Sequence, residues 1–230
     1  MKYEIEIDDK EHEAFLESAK KIGKTFQELA TILVSEYAKK LIIPKENENF
    51  VTVIKGYLSP EKCDEFTATM KKAKTEEKLS HWGDAFVLSK PETEMNTFVK
   101  DHVAEIVRLC KETYGYDKPL YREQAYFFLW PVGADHPPHF DNNFLAFEQM
   151  GVSPELHPDS PEIIFSSILY LNDDWEGGEI YFPRLNKTIS PEKGDLVYFP
   201  SDSTIAEHGV KKIIGSDRVT FATWLQREDK

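Results

Sequence analysis

Residues 163–200 read IIFSSILYLNDDWEGGEIYFPRLNKTISPEKGDLVYFP, and this stretch decides the fold. Three short runs rich in aromatic and branched residues, at 163–172, 177–183 and 193–200, are punctuated by Asn-Asp, Gly-Gly and proline. Each is too short for a helix and long enough for a strand. The same pattern extends upstream to 121–130, YREQAYFFLW, and downstream to 218–226, RVTFATWLQ. Closely spaced strands after preceding helices predict an α+β chain: an antiparallel sandwich or a jelly-roll (double-stranded β-helix), with helices buttressing one face.

Helical spacing dominates further upstream. Ser59-Pro60 offers a cap followed by proline at the first helical position. A second helix is expected from about Glu92 to Tyr114, with Met95, Phe98, Val99, His102, Val103, Ile106 and Leu109 on one stripe and Gly115 after its end. His102 on that apolar stripe reads as a packing histidine. Phe50–Lys55 is strand-like, and the polar residues 45–49 read as a linker.

That linker divides the chain into residues 1–47 and 48–230. In the first, Tyr3, Ile5 and Ile7 alternate with charged residues as a strand does. Phe15, Leu16, Ala19 and Ile22 give one helix that Gly23 ends, and Thr25 with Glu28 makes a capping box for another that runs to Pro44. The strand-helix-helix order resembles the ribbon-helix-helix family, which would imply a homodimer. The outward strand positions that read DNA in that family are here Glu4 and Glu6, which repel phosphate, so a dimerisation or docking segment is expected.

Charge agrees. With 28 Lys and Arg against 41 Asp and Glu, the net charge is -13, a poor match to a nucleic-acid binder. The charged N-terminus lacks a secretory apolar run, and no stretch approaches the roughly 20 apolar residues that span a bilayer, so a soluble cytoplasmic protein is expected. Only Cys63 and Cys110 occur, far apart, so any metal must be held by histidine and carboxylate.

His139-Phe140-Asp141 places an imidazole and a carboxylate on the same side of an extended chain, about 6.5–7 Å apart along it. Alone, the pair does not differ from a surface ion pair. A jelly-roll returns its late strands beside its early ones, and His208 lies in the late strand-like piece TIAEHGV. Two histidines and one carboxylate are the facial ligand set of non-haem iron, and they also build hydrolytic zinc sites. Across a turn from His208, Arg218 opens the last strong strand. A hairpin there would bring its guanidinium beside the His208 strand, suited to a carboxylate. His136, three residues before His139, is a rival ligand.

At these residues the chain resembles a family. NFVTVIKGYLSPEKCDEF at 49–66, HFD at 139–141, SSILYLNDDWEGGEIYFP at 166–183, ISPEKGDLVYFP at 189–200 and EHGVKKIIGSDRVTFATWL at 207–225 resemble, in order and spacing, the prolyl 4-hydroxylase branch of the Fe(II)/2-oxoglutarate dioxygenases. The likeness covers residues 48–226. It implies Fe(II) held by His139, Asp141 and His208, 2-oxoglutarate gripped by Arg218 with help from Tyr170, and ascorbate as an accessory reductant. It also implies hydroxylation of prolyl residues in a peptide or protein with O2, releasing succinate and CO2. Halogenating relatives lack the carboxylate that Asp141 supplies. Trp130 stands where relatives often carry a tyrosine.

Tyr126, Trp130 and Trp224 could wall the pocket, since the first two alternate with Phe128 onto one strand face and Trp224 shares the Arg218 face. Residues 142–162, long, acidic and proline-bearing, read as a flexible lid that favours a basic substrate, with His157 solvated. Two alternatives stay open: the same chemistry on a free amino acid or small metabolite, and a non-enzymatic metal-binding jelly-roll regulator with a DNA-binding N-terminal segment.

Overall fold

The computed structural model describes residues 16–21, 23–25, 27–29, 49–88, 93–153, 160 and 162–227. The chain divides into two compact units, 1–44 and 45–230. In the first, residues 16–21 are helical and Gly23 adopts a left-handed backbone, φ +67°. Its N–H and that of Lys24 bond back to the Lys20 and Ala19 carbonyls, closing the helix end. Thr25 and Glu28 form the reciprocal capping box: the Glu28 carboxylate accepts from the Thr25 N–H at 2.8 Å and the Thr25 hydroxyl from the Glu28 N–H at 3.2 Å. The expected strand at Tyr3–Ile7 and the rest of the second helix, with the dimer reading built on them, lie outside the described residues.

The second unit runs β1 (Thr52–Ile54), α1 (Pro60–Thr75), β2 (Ser80–Trp82), β3 (Ala85–Val87), α2 (Thr93–Tyr114), β4 (Leu120–Trp130), β5 (His136–His139), α3 (Asn143–Gln149) and β6 (Ile163–Tyr170). It continues through β7 (Glu176–Gly177), β8 (Ile180–Phe182), β9 (Lys187–Ile189), β10 (Leu196–Pro200), β11 (His208–Val210), β12 (Ile213–Ile214) and β13 (Arg218–Arg227). Ser59 caps α1 as expected, its hydroxyl accepting from the Lys62 N–H. Gly115 follows α2 at φ +64°.

Strand order explains the site. The large sheet is ordered β1-β10-β6-β13-β4-β3-β2 and the smaller one β5-β11-β8-β9, with β12-β7 as a separate ribbon. Every pairing is antiparallel. From β4 onward the chain alternates between sheets, β4 large, β5 small, β6 large, β8 and β9 small, β10 large, β11 small and β13 large, which is the winding of a double-stranded β-helix. One face of the large sheet supplies Phe127, Leu129, Leu169, Val219 and Phe221 to a core closed by Phe66 and Met70 of α1 and Ile106 of α2. The helices therefore buttress that face; on the other, Val197 and Phe199 pack against Ile180 and Phe182 of the small sheet, and a cavity opens beside them.

His102 belongs to this core. Only 2% exposed, it stands edge-on to Phe221 at 5.1 Å, and its Nδ1 hydrogen-bonds with the Tyr57 hydroxyl 3.1 Å away. Burial pushes its pKa down to about 4.

Two local readings need correction, and one element was missed. Arg218 does not pair with the His208 strand: β11 belongs to the small sheet and β13 to the large one, because β12 pairs with β7 and carries the chain across between them. Residues 142–162 are not wholly irregular, since the buried Asn142 side chain accepts from the N–H groups of Phe144 and Leu145 and so starts α3; residues 154–159, with His157, and residue 161 lie outside the described residues. Lastly, the β2–β3 hairpin went unread, although Gly83-Asp84, with Gly83 at φ +54°, is a two-residue hairpin turn.

Candidate active site

His139 and His208 are register partners on β5 and β11, so the antiparallel ladder sets them side by side. Asp141 follows two residues after His139. The Asn142 side chain beside it donates to the Ile163 carbonyl at 2.8 Å, tying this turn to the start of β6. The Asp141 carboxylate lies 3.5 Å from Nε2 of His139 and 3.6 Å from Nε2 of His208. One ligand atom from each of the three residues falls within 4.8 Å of the others.

Protonation suits cation binding. Nδ1 of His208 donates to the Ala206 carbonyl at 2.9 Å, and Nδ1 of His139 sits 3.0 Å from the Pro137 carbonyl. A carbonyl can only accept, so each proton is on Nδ1 and each Nε2 presents its lone pair to the shared space. Burial pushes the His208 pKa down, which keeps that imidazole neutral. Burial of Asp141 works against its charge, but the imidazoles of His208 and His139 and the Ser166 hydroxyl outweigh it and hold the carboxyl far below the usual range. Against the effect of burial, Asp141 raises the His139 pKa, so a divalent transition metal, for which two imidazoles and an ionised carboxylate are a fitting donor set, would compete there with a proton. His136 lines the same cavity beside this cluster, its Nδ1 2.7 Å from Nδ1 of His139, and it pairs with Val210.

A cavity of about 320 Å³ separates this cluster from Arg218, which is 3% exposed. Arg218 starts β13 opposite Trp130, with its guanidinium carbon 5.4 Å from the Trp130 ring centre and 5.7 Å from that of Tyr170. One Nη donates to the Gly178 carbonyl at 2.8 Å, whereas the buried Nε has no hydrogen-bond partner. An arginine buried beside two rings, with a donor unspent and no carboxylate of the described chain paired to it, is arranged for an acidic ligand. Burial lowers its pKa and raises that of Tyr170 to about 12, so the tyrosine hydroxyl stays protonated as a donor.

Behind Arg218, Asn172 escaped the sequence reading, and Gly178 was read only as part of a structural turn. The Asn172 carbonyl oxygen accepts from the Val219 N–H at 2.6 Å while its amide donates to the Asp217 carbonyl at 2.8 Å, gripping the backbone on both sides of Arg218. Gly178 presents its carbonyl because the preceding turn folds onto Lys212, where its N–H donates at 3.2 Å. A buried asparagine just past a strand end was the available signal for the first. For the second, the Gly-Gly pair signalled the turn but not the carbonyl's contact with Arg218.

Of the aromatic residues named as a wall, Trp130 and Trp224 line the cavity together with Phe128. Tyr126 shares their sheet face but packs against Trp82 at 5.6 Å and is not among the lining residues. Trp82, which the sequence reading passed over, reaches the cavity from β2 and stacks parallel to Trp224, ring centres 6.2 Å apart.

A family model described as "2OG-Fe(II) oxygenase superfamily" matches residues 125–226, the span that holds the three ligands, Tyr170 and Arg218. Residues 125–226 belong to the 2OG-Fe(II) oxygenase superfamily. Its cofactors, Fe(II) and 2-oxoglutarate, are those that the oxygenase domain's cluster and its unspent arginine fit. Human prolyl 3-hydroxylase 1 is 35% identical to the chain over 139 residues, 54% of this chain and 19% of that protein. The rat enzyme of the same name is 33% identical over the same length. The chain thus spans about a fifth of the curated relatives it matches. Among solved structures, the viral collagen prolyl hydroxylase from Paramecium bursaria Chlorella virus-1, in complex with 2OG, covers 80% of this chain and 98% of its own, with TM-score 0.61 and 16% identity. A Trichoplax adhaerens prolyl hydroxylase, in complex with a hypoxia inducible factor oxygen degradation domain peptide fragment, covers 86% and 92%, with TM-score 0.58 and 16% identity. At that identity the likeness is one of fold.

Proposed function

We propose that this chain is a 2-oxoglutarate-dependent dioxygenase that hydroxylates prolyl residues of a peptide or protein, with release of succinate and CO2. The observation that carries the reading is the buried Arg218, with an unpartnered donor, facing a His-Asp-His cluster across one cavity. Nε2 of His139, Nε2 of His208 and the Asp141 carboxylate would hold Fe(II). Bound there with 2-oxoglutarate and O2, the iron supplies the oxidising power for inserting oxygen into a C–H bond.

The rest is done by the chain. Arg218 anchors the remote carboxylate of 2-oxoglutarate, with Tyr170 beside it, and Asn172 fixes the backbone on both sides of it. Nδ1–H bonds to the Ala206 and Pro137 carbonyls fix both imidazole orientations. Phe128, Ile168 and Ala222 floor the trough with apolar surface that excludes water and suits a pyrrolidine ring. The names of the curated relatives and of the solved neighbours support proline as the target.

The test is incubation of the full chain with Fe(II), ascorbate, 2-oxoglutarate and proline-containing peptides, followed by mass spectrometry. A gain of one oxygen atom on proline, matched by succinate, supports the reading. Hydroxylation confined to free amino acids or to non-proline residues would replace it. The curated relatives are named for carbon 3 and one solved neighbour for carbon 4, so chromatography of the hydrolysed product against both hydroxyproline standards reads the position.

A further inference from the structure

We propose that the cavity mouth is a subsite for a cationic side chain, with Glu123 as counter-ion and the Trp82–Trp224 pair as aromatic wall; this deepens the peptide-hydroxylase reading and rests on it. The first observation is a β-bulge. Along β4 and β13, Trp224 is the register partner of Gln124 but Leu225 is that of Arg122, so Glu123 is an extra residue with no partner across the ladder. Consecutive side chains of a regular strand point to opposite faces, and the face opposite this cavity is covered by the helices. The bulge breaks that alternation, and both Glu123 and Gln124 line the cavity. A carboxylate that a regular strand would have sent elsewhere is aimed at the active site.

The second observation is the charge inventory. Arg218 and Asp141 are the other fixed charges lining the cavity, and both are committed, the first to an acidic ligand and the second to the histidine cluster. Glu123 is half-buried at the cavity wall, and no hydrogen bond or ion pair to the described residues holds it. It therefore sets the sign that an incoming side chain meets. A net charge of -13 on the whole chain steers the same kind of ligand.

The third is the aromatic pair. Trp82 is 43% exposed, unlike the buried aromatics of the core, yet it is held parallel to Trp224 at 4° and edge-on to Phe128 at 5.6 Å. Indole faces attract ammonium and guanidinium groups, and a nearby carboxylate adds to the attraction. The subsite lies at the opposite end of the trough from Arg218. Along β13 the cavity-lining residues are Arg218, Thr220, Ala222 and Trp224, so six residues, about 20 Å, separate the two ends. Ser166, the register partner of Trp224, also contacts Asp141, which puts the metal cluster near the subsite end. A peptide would thus place a Lys or Arg at the mouth with its target residue a short distance further in.

Two measurements test this. In the first, Nα-acetyl-lysine amide, Nα-acetyl-norleucine amide and Nα-acetyl-glutamate amide are titrated into the Mn(II)- and 2-oxoglutarate-loaded protein, read by calorimetry and tryptophan quenching. The lysine amide should bind about tenfold more tightly than the norleucine amide, a difference of about 1.4 kcal/mol. Glu123→Gln should erase that preference, and Glu123→Lys should shift it to the glutamate amide. Trp82→Ala should weaken the lysine amide with little change for the glutamate amide. Equal binding of the lysine and norleucine amides overturns the subsite. In the second, proline peptides carrying Lys, Gln or Glu at scanned positions are compared in hydroxylation. A preference for Lys of at least about tenfold in kcat/KM, lost in Glu123→Gln, is expected. Hydroxylation indifferent to charge overturns the subsite but leaves prolyl hydroxylation standing. If no peptide is hydroxylated, the peptide reading falls and the amide titration still decides the subsite.

Discussion

Arg218 and Trp130 face each other across the β13–β4 ladder, and the guanidinium carbon lies 5.4 Å from the indole centre. Tyr170 lies 5.7 Å away on another strand and the Gly178 carbonyl accepts at 2.8 Å, while the buried Nε is left without a partner. Arg218→Ala should raise the KM for 2-oxoglutarate roughly 10- to 100-fold, the loss expected for charge-assisted hydrogen bonds of about 1.5–3 kcal/mol. Arg218→Lys should fall in between, since it keeps the charge and loses the planar fork. Calorimetry with 2-oxoglutarate on the Mn(II) protein checks both.

The metal cluster predicts a spectroscopic result. Anaerobic addition of Fe(II) and 2-oxoglutarate should produce a metal-to-ligand charge-transfer band in the wild type. His208→Ala and Asp141→Ala should abolish it, and His136→Ala should retain it, because the ligand set within 4.8 Å is His139, Asp141 and His208. Retention of the full band in the Asp141→Ala, His208→Ala double variant would count decisively against these ligands.

His102 predicts a pH effect on stability that is separate from catalysis. Its pKa in the folded state, about 4, lies below the ordinary value of 6.5, so between these values the unfolded chain binds more protons. The stability tied to the neutral ring is complete above about pH 6.5 and is lost as pH falls towards 4, by up to roughly 3 kcal/mol. Urea denaturation at pH 7.5 and pH 5 should show that His102→Phe loses less stability on acidification than the wild type.

Glycine geometry separates strain from collision. Gly177 has φ +67°, and an added Cβ would meet the Lys212 carbonyl oxygen at 2.0 Å, whereas Gly215 has φ +83° and open space around it. Gly215→Ala should cost about 1 kcal/mol from backbone strain. Gly177→Ala should cost at least about 2–3 kcal/mol and also disturb the turn that presents the Gly178 carbonyl to Arg218. Thermal denaturation of the two variants side by side checks the difference.

Much was legible in the sequence because it is local. The Ser59-Pro60 start of α1, the Thr25–Glu28 capping box and the runs that became β4, β6, β10 and β13 depend on neighbours within a few residues, whose chemistry is written in order. His139 and Asp141 could be named because extended chain repeats every two residues, and His208 because a jelly-roll returns late strands to early ones. Strand pairing is different. Alternation says which face a side chain takes but not which strand lies beside it, so the sequence reading paired Arg218 with the His208 strand, while the fold assigns them to facing sheets. Only the assembled sheets decided that the ligand atoms meet within 4.8 Å, that Asn172 grips the backbone around Arg218, and that a one-residue bulge aims Glu123 at the cavity. Each depends on hydrogen bonds between residues far apart in the chain, which no local pattern specifies.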